Sequence, residues 1–131
     1  MTRINLVPPE ELCDQHLLAE LRELPRIPNA VLKGRYSLEG QPKEYTMGKG
    51  HVKFFYDKLF FLFERYNELY YEATCRGFMV VYRFPDMDLP LQEMHDLYNY
   101  YTPTPEALAI NRARIAERLE EMKPRWTEKK A

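Results

Sequence analysis

Ten prolines divide this chain of 131 residues into stretches in which a long helix can form. One stretch ends at Pro25, a second lies between Pro42 and Pro85, and a third lies between Pro105 and Pro124. A proline inside a helix removes a backbone donor and clashes with the preceding turn, so helices usually end or kink there. The positions of the prolines therefore predict three principal helices joined by irregular loops.

The first stretch has the pattern of a helix with one buried side. The run PPEE at residues 8–11 is typical of a helix start, because proline is tolerated in the first turn and acidic residues suit the positive end of the helix dipole. Leucines then recur at near-helical spacing: Leu12, Leu18, Leu21 and Leu24. We expect this helix to kink or end at Pro25. Residues 28–47, which contain Gly34, Gly40 and Pro42, should form a loop.

The second stretch is apolar on more than one side from His51 to Ala73, which predicts a central and largely buried helix. It should begin near residues 48–51 and end at Gly77, with Arg76 at the negative end of the dipole. Residues 78–84, FMVVYRF, have the composition of a strand but no partner strand, so we expect an extended segment. Residues 85–103 should be irregular.

The third stretch opens with Thr104, Pro105 and Glu106, a combination of N-cap, first-turn proline and first-turn acid. Its apolar stripe should consist of Leu108, Ile115, Leu119 and Met122. We expect the helix to stop at Pro124 and Trp126 to follow in a basic tail. The predicted fold class is all-α: a single compact domain over residues 1–131 with three principal helices.

Composition limits the compartment and the partners. No apolar run approaches the roughly 20 residues of a membrane helix, and the N-terminus has no apolar signal core, so we expect no membrane association and no secretion. The two cysteines, Cys13 and Cys75, are too few for a disulfide framework, which favours the cytoplasm. The net charge of −1 gives no argument for nucleic acid. Residues 61–105 hold 3 basic and 7 acidic side chains, so any anion-binding surface must come from the two ends.

Motifs for cofactor chemistry are missing from the sequence. His16, His51 and His95 do not stand at metal-ligand spacing from one another or from the cysteines. There is no phosphate loop, and GKG at residues 48–50 is too short for a dinucleotide fingerprint. An enzyme of this sequence should work without a metal and without an organic cofactor.

The N-terminus offers a nucleophile. A small second residue permits removal of Met1, which leaves Thr2 with a free α-amine. Such an amine has a pKa of about 7.7–8.0, and nearby arginines lower that pKa by disfavouring the ammonium form. A neutral amine can attack an electrophilic carbon and form an imine.

The first helix carries a matching set of charged side chains. Arg22 and Arg26 are spaced i, i+4, Glu23 and Arg26 are spaced i, i+3, and His16 lies two turns back on the side of Glu23. The arginines could bind phosphates, and the carboxylate could stabilise a cationic transition state or carry a proton. Taken alone, these residues are equally typical of a solvated helix face. They predict no more than an N-terminal amine enzyme that acts on an anionic polymer.

Five segments carry a resemblance to a known family: MTRINL (1–6), DQHLLAELRELPR (14–26), GKGHVKFFYDKLFFL (48–62), EATCRGF (72–78) and LAINRARIAER (108–118). They resemble the phage-type pyrimidine-dimer DNA glycosylase/AP lyase family. The resemblance implies a small helical domain in which Thr2 is the nucleophile and Glu23 is the catalytic carboxylate. It also implies a set of DNA-binding and active-site side chains: Arg3, His16, Arg22, Arg26, Arg114 and Arg118.

The resemblance further implies a monomer that acts on duplex DNA containing UV photoproducts. The Thr2 amine would attack C1′ of the dimer's 5′ sugar, release the base, and cut the strand by β-elimination from the imine. The chain departs from the family in residues 27–47, in the acidic residues 79–100 and in its net charge of −1. Two alternatives stay open: a non-catalytic nucleic-acid-binding domain on the same scaffold, and a glycosylase of the same mechanism for another damaged base.

Overall fold

The computed structural model describes the backbone of residues 2–130 and the side chains of residues 2–122. A single 3-10 turn, Pro9–Glu11, precedes six α-helices: α1 (Asp14–Glu23), α2 (Arg26–Leu32), α3 (His51–Phe54), α4 (Leu59–Cys75), α5 (Leu91–Leu97) and α6 (Pro105–Lys130). The described backbone contains no strand, only an isolated bridge between Lys58 and Tyr98. The predicted all-α fold class is confirmed, with α1, α4 and α6 as the principal helices.

Helix α4 lies at the centre of the fold, as the sequence predicts. Its buried side chains include Leu59, Leu62 and Leu69, and α1 packs against it with Leu17 and Leu21. All five are fully buried, and each contributes roughly 1.5–3 kcal/mol through removal of its apolar surface from water. The extended residues 4–7 are buried beside these helices. The core therefore holds the N-terminal segment in a fixed place.

The predicted end of α4 and the predicted start of α6 are confirmed by their hydrogen bonds. Gly77 has a φ of +91°, and its N–H donates to Thr74 while the N–H of Phe78 donates to Ala73. This pair of bonds closes α4 with a Schellman motif, which favours glycine because of the positive φ. At the start of α6, the Thr104 hydroxyl accepts a 3.0 Å hydrogen bond from the N–H of Ala107.

The first helical region differs from its prediction at both ends. Residues 9–11 form a 3-10 turn, and α1 begins only at Asp14. A second short helix, α2, starts at Arg26 and contains Pro28, so the prediction of a loop from residue 28 is wrong over residues 28–32. Pro28 is tolerated because it lies in the first turn of α2, where backbone N–H groups have no helical partner.

The second helical region is interrupted. A four-residue helix, α3, precedes α4, and the turn between them exposes the last carbonyls of α3. Side chains satisfy these carbonyls: Gln41 donates to those of Lys53 and Phe54 at 3.1 Å, and Lys58 donates to Phe54 at 2.8 Å. One continuous helix was therefore the wrong prediction, because the side-chain partners make the break stable.

The later part of the chain contains three further corrections. Residues 91–97, predicted as irregular, form α5 directly after Pro90. Helix α6 continues past Pro124 to Lys130, since an internal proline can kink a helix and leave most of its other hydrogen bonds in place. The predicted apolar stripe of α6 is confirmed at Leu108 and Ile115, which pack against the core, and is wrong at Leu119, which is 39% exposed.

Two further predictions concern residues 78–84 and the tail. Residues 78–84 form neither a helix nor a paired strand, which agrees with the prediction that they have no partner strand. Trp126 lies in the part of α6 whose side chains are not described. None of the described helices is long and apolar enough to cross a membrane.

Candidate active site

The backbone beside Thr2 is held by two buried aromatic residues. The N–H of Ile4 donates to Nε2 of His51 at 2.9 Å, and the Tyr45 hydroxyl donates to the carbonyl of Ile4 at 2.9 Å. Nδ1 of His51 lies 2.8 Å from the carbonyl of Thr46 and must carry the ring proton, which leaves Nε2 free to accept. Burial lowers the pKa of His51 and keeps this neutral form.

Helix α6 also holds the N-terminal segment. Oδ1 of Asn111 accepts hydrogen bonds from the N–H groups of Leu6 and Val7 at 2.6 and 3.1 Å. Nδ2 of Asn111 donates to Oδ1 of Asn5 at 2.8 Å. Asn111 has no solvent exposure. These contacts satisfy two buried backbone donors that the extended segment would otherwise leave unpaired.

A buried ion pair completes the support of this segment. Arg65 binds Glu20 through two hydrogen bonds, from Nε at 2.8 Å and from Nη2 at 3.1 Å. Glu20 also accepts from Asn5 at 2.8 Å, and Arg65 donates to the carbonyl of Val7. Both charged side chains are at least 95% buried. Such a pair is tolerated in a core only when its remaining donors and acceptors are also satisfied, as they are here.

Glu23 lies at the peptide bond that follows Thr2. Its Oε1 accepts a 3.0 Å hydrogen bond from the N–H of Arg3, and its Oε2 lies 3.4 Å from Nη2 of Arg22. The Glu23 side chain is 13% exposed, while that of Arg22 is 51% exposed. The predicted catalytic carboxylate is therefore next to the predicted nucleophilic residue, although 20 residues separate the two bonded partners in sequence.

Positive charge converges on the same place. Burial and the guanidinium groups of Arg118 and Arg114 lower the pKa of Arg3. Burial, Arg3 and Arg118 likewise lower the pKa of His16. The Nε atoms of Arg114 and Arg118 are buried and make no hydrogen bond to the described residues. Nη1 of Arg114 and Nη1 of Arg118 lie 3.3 and 3.5 Å from the glutamate three residues later on α6, in exposed pairs of the kind that contribute little stability. The mutual repulsion of the arginines favours a bound anion.

Two cavities open beside these side chains. The larger has a volume of about 340 Å³ and lies between α1, α6 and the N-terminal segment. Its walls include Arg3, His16, Glu23 and Arg118, together with the apolar Ala19, Ile115 and Met122. The smaller, of about 80 Å³, is lined by Thr2, Arg3, His51 and Arg114 among others. The described residues contain no group of three or more histidine, cysteine or acidic side chains suited to a metal ion.

The structure brings most of the residues singled out in the sequence into one place. Six of them line the two cavities: Thr2, Arg3, His16, Glu23, Arg114 and Arg118. Arg22 lines neither cavity and is connected to this group by its contact with Glu23. Arg26 is exposed, lines neither cavity and begins α2, so the prediction that it shares one helix with Arg22 is wrong. His16 and Glu23 do share a face of α1, as their spacing predicts.

Several supporting residues were missed from the sequence. They are the polar side chains that hold the N-terminal segment: Asn5, Glu20, Tyr45, His51, Arg65 and Asn111. One signal was available, because Glu20 lies between His16 and Glu23 at i+4 on the same side of α1. The hydrogen bonds of Tyr45 and His51 to Ile4, and of Asn111 to Asn5, join residues 41 to 106 positions apart. Spacing along one helix cannot reveal such pairs.

A comparison with known families covers most of this site. Residues 1–86 match the family described as pyrimidine dimer DNA glycosylase. The matched region contains the N-terminal segment, α1 and α4, and with them Thr2, Arg3, His16 and Glu23. Because the match spans about two-thirds of the chain, this protein belongs to the pyrimidine dimer DNA glycosylase family and is a DNA repair enzyme.

Proposed function

We propose that this protein excises cyclobutane pyrimidine dimers through an imine with the α-amine of Thr2, and then cuts the strand by β-elimination. The observation that carries the proposal is the 3.0 Å hydrogen bond from the N–H of Arg3 to Glu23. A carboxylate at this point is one peptide unit from the α-amine of a chain that begins at Thr2. Met1, whose removal this chemistry requires, lies outside the described residues.

The first step replaces the base by the amine. The nitrogen lone pair of Thr2 forms a bond to C1′ as the glycosidic bond from C1′ to the base breaks, and the base leaves with the electron pair of that bond and takes up a proton. The attached Thr2 nitrogen loses a proton and its lone pair forms a double bond to C1′, while the C1′–O4′ bond breaks and O4′ takes up a proton. The product is a ring-opened imine between Thr2 and C1′. Glu23 is suited to stabilise the positive charge that develops on the sugar and on the imine.

The second step cuts the strand. The imine withdraws electrons and acidifies the C2′ proton, which a base removes. The electron pair forms a C1′–C2′ enamine and then a C2′–C3′ double bond, and the 3′ phosphate leaves. Glu23 and His16 border the same cavity and are both candidates for this proton transfer. A water nucleophile in place of the amine would stop at an abasic site.

The surrounding charges support DNA as the substrate. Arg114 and Arg118 border the two cavities with side chains that are 32% and 36% exposed. Phosphate oxygens are suited to accept from their guanidinium groups in place of the glutamate carboxylates that they contact on α6. We assign Arg3, Arg22 and Arg26 to contacts with the DNA and its lesion, with Arg3 the one of the three that borders both cavities. The cavity of about 340 Å³ is of a size to receive one extruded base, with apolar walls for its ring faces.

A displaced amine tests this proposal without altering any side chain. One extra glycine before Thr2 moves the amine by one residue and leaves Glu23 and the arginines unchanged. We expect this variant to bind a dimer-containing duplex like the mature protein but to lose strand cleavage. Equal cleavage by both proteins would exclude the Thr2 amine as the nucleophile.

A further inference from the structure

Asn111 connects helix α6 with the N-terminal segment of the site. Its three hydrogen bonds join positions 104 to 106 residues apart: the N–H groups of Leu6 and Val7 donate to Oδ1, and Nδ2 donates to Asn5. The side chain has no solvent exposure, so water does not replace any of these bonds. Asn111 therefore fixes where the N-terminal segment lies along α6.

The same side of α6 carries the arginines. Arg114 follows Asn111 by three residues and Arg118 follows Arg114 by four, so the three side chains share one helix face. Arg114 borders the cavity of Thr2, and Arg118 borders the cavity of Glu23. Among the described residues, α6 forms no helix pair as extensive as that of α1 with α4. Three apolar side chains of α6 pack in or against the core: Ala107, Leu108 and Ile115. The hydrogen bonds of Asn111 add a directional connection between this arginine face and the N-terminal segment.

We propose that Asn111 is a positioning residue that sets the distance and direction between the strand bound by α6 and the amine of Thr2. The inference rests on the proposed function, because the position of the bound strand relative to Thr2 affects the rate of imine formation only if the Thr2 amine is the nucleophile. The arginines hold the phosphates, while the N-terminal segment holds the attacking nitrogen. A shift of about 1 Å between the two misaligns the attack, and misplacements of that size cost about 100-fold in rate.

The test separates chemistry from binding and from stability. Single-turnover trapping with borohydride, at saturating enzyme on a duplex with one abasic site, measures imine formation. The affinity for undamaged duplex and the melting temperature are measured on the same proteins. The variants are Asn111→Ala and Asn111→Asp, with Asn99→Ala as the matched control. Asn99 is exposed and donates to the carbonyls of Asp57 and Asp96, away from both cavities.

We expect Asn111→Ala to form the imine about 100-fold more slowly, with the affinity for undamaged duplex changed by less than about threefold. Asn111→Asp keeps an acceptor for the N–H groups of Leu6 and Val7 but loses the donor to Asn5 and places a buried carboxylate oxygen against Oδ1 of that residue. Because this repulsion displaces the N-terminal segment, we expect its rate of imine formation to fall by at least about tenfold, with the affinity for undamaged duplex nearly unchanged. Asn99→Ala should trap at the wild-type rate. A merely structural role of Asn111 would not lower the rate of imine formation while leaving the affinity for undamaged duplex unchanged.

Three results would overturn the inference. One is a wild-type trapping rate in Asn111→Ala, and another is a loss that follows the melting temperature equally in Asn111→Ala and Asn99→Ala. If Asn111→Ala does not fold, a wild-type rate in a folded Asn111→Asp protein overturns it, and slower imine formation at unchanged affinity for undamaged duplex supports it. Failure of the wild-type protein to trap would instead reject the proposed function, and this inference with it.

Discussion

The Glu23 carboxylate accepts a 3.0 Å hydrogen bond from the backbone N–H of Arg3, which ties the last residue of α1 to the start of the chain. The bond fixes the carboxylate one peptide unit from the Thr2 nitrogen. Arg22 and the convergent Arg3, Arg114 and Arg118 surround it with positive charge. These relationships lead to the following expectations.

Replacement of Glu23 by glutamine should remove catalysis and preserve binding. The amide keeps an oxygen that can accept from the N–H of Arg3, but it loses the charge that stabilises the sugar cation and the imine. We expect cleavage of a dimer-containing duplex to fall by at least about 100-fold, with affinity for the same duplex nearly unchanged. Glu10→Gln, at an exposed position of the 3-10 turn, is the matched control. Near-normal cleavage by Glu23→Gln would remove Glu23 from the mechanism.

Removal of the Arg114 side chain should weaken binding to damaged and undamaged duplex by similar factors, because a phosphate contact carries no lesion information. We expect a loss of roughly tenfold, and a decrease of about 0.9 in the slope of log affinity against log salt concentration. Arg112→Ala is the control: Arg112 stands two residues earlier on α6 and pairs at the surface with Glu11. A loss confined to damaged DNA would assign Arg114 to lesion recognition.

The buried pair of Glu20 and Arg65 should dominate the stability of the site. Glu20→Gln leaves the Arg65 guanidinium without its counter-charge in the core, and one-sided removal of such pairs costs about 3–5 kcal/mol. Urea denaturation measures this loss. The double variant Glu20→Gln with Arg65→Met should regain much of it, since neither charge remains buried alone. A single variant with wild-type stability would contradict the role given to the pair.

Low pH should destabilise the N-terminal segment because it protonates His51. Burial lowers the pKa of His51 in the folded protein, so its contribution to stability is complete above the ordinary histidine value of about 6.5 and is lost as the pH falls through the lowered value. Protonation would also place a donor against the N–H of Ile4. His16, whose pKa is lowered as well, adds a change of the same sign.

The His51→Gln variant tests this pH dependence. Glutamine can accept from Ile4 without titrating, so the melting temperature should fall less between about pH 7.5 and 5 than in the wild type. His95→Gln, on the exposed face of α5, should retain the full decline. An unchanged decline in His51→Gln would exclude His51 as its source.

Local patterns predicted the end of α4, the start of α6, the central position of α4 and the shared face of His16 and Glu23. Residues close in sequence determine all of these: Thr104 caps α6, and Gly77 supplies the positive φ that closes α4. The resemblance, and not spacing, indicated Arg114 and Arg118. The structure adds that both arginines border the cavities of Thr2 and Glu23 and that their charges lower the pKa of Arg3.

Other features depend on contacts between distant residues and could not be predicted from local patterns. The break between α3 and α4 is stabilised by Gln41, which lies before both helices. The buried face of α6 contains Asn111, a polar residue that hydrophobic periodicity ignores, whereas the leucine that periodicity favoured, Leu119, is exposed. At Gln41 and at Asn111, a side-chain hydrogen bond to the backbone of a distant segment determines the local structure.

The role of the Thr2 amine is tested most directly by borohydride trapping on a duplex with one thymine dimer, followed by peptide mass mapping. We expect a covalent adduct on the α-amine of Thr2 in protein that lacks Met1. We also expect an adduct at the same nitrogen on a duplex with a plain abasic site. An adduct on a lysine, or cleavage of the dimer strand without any adduct, would exclude the Thr2 amine as the nucleophile.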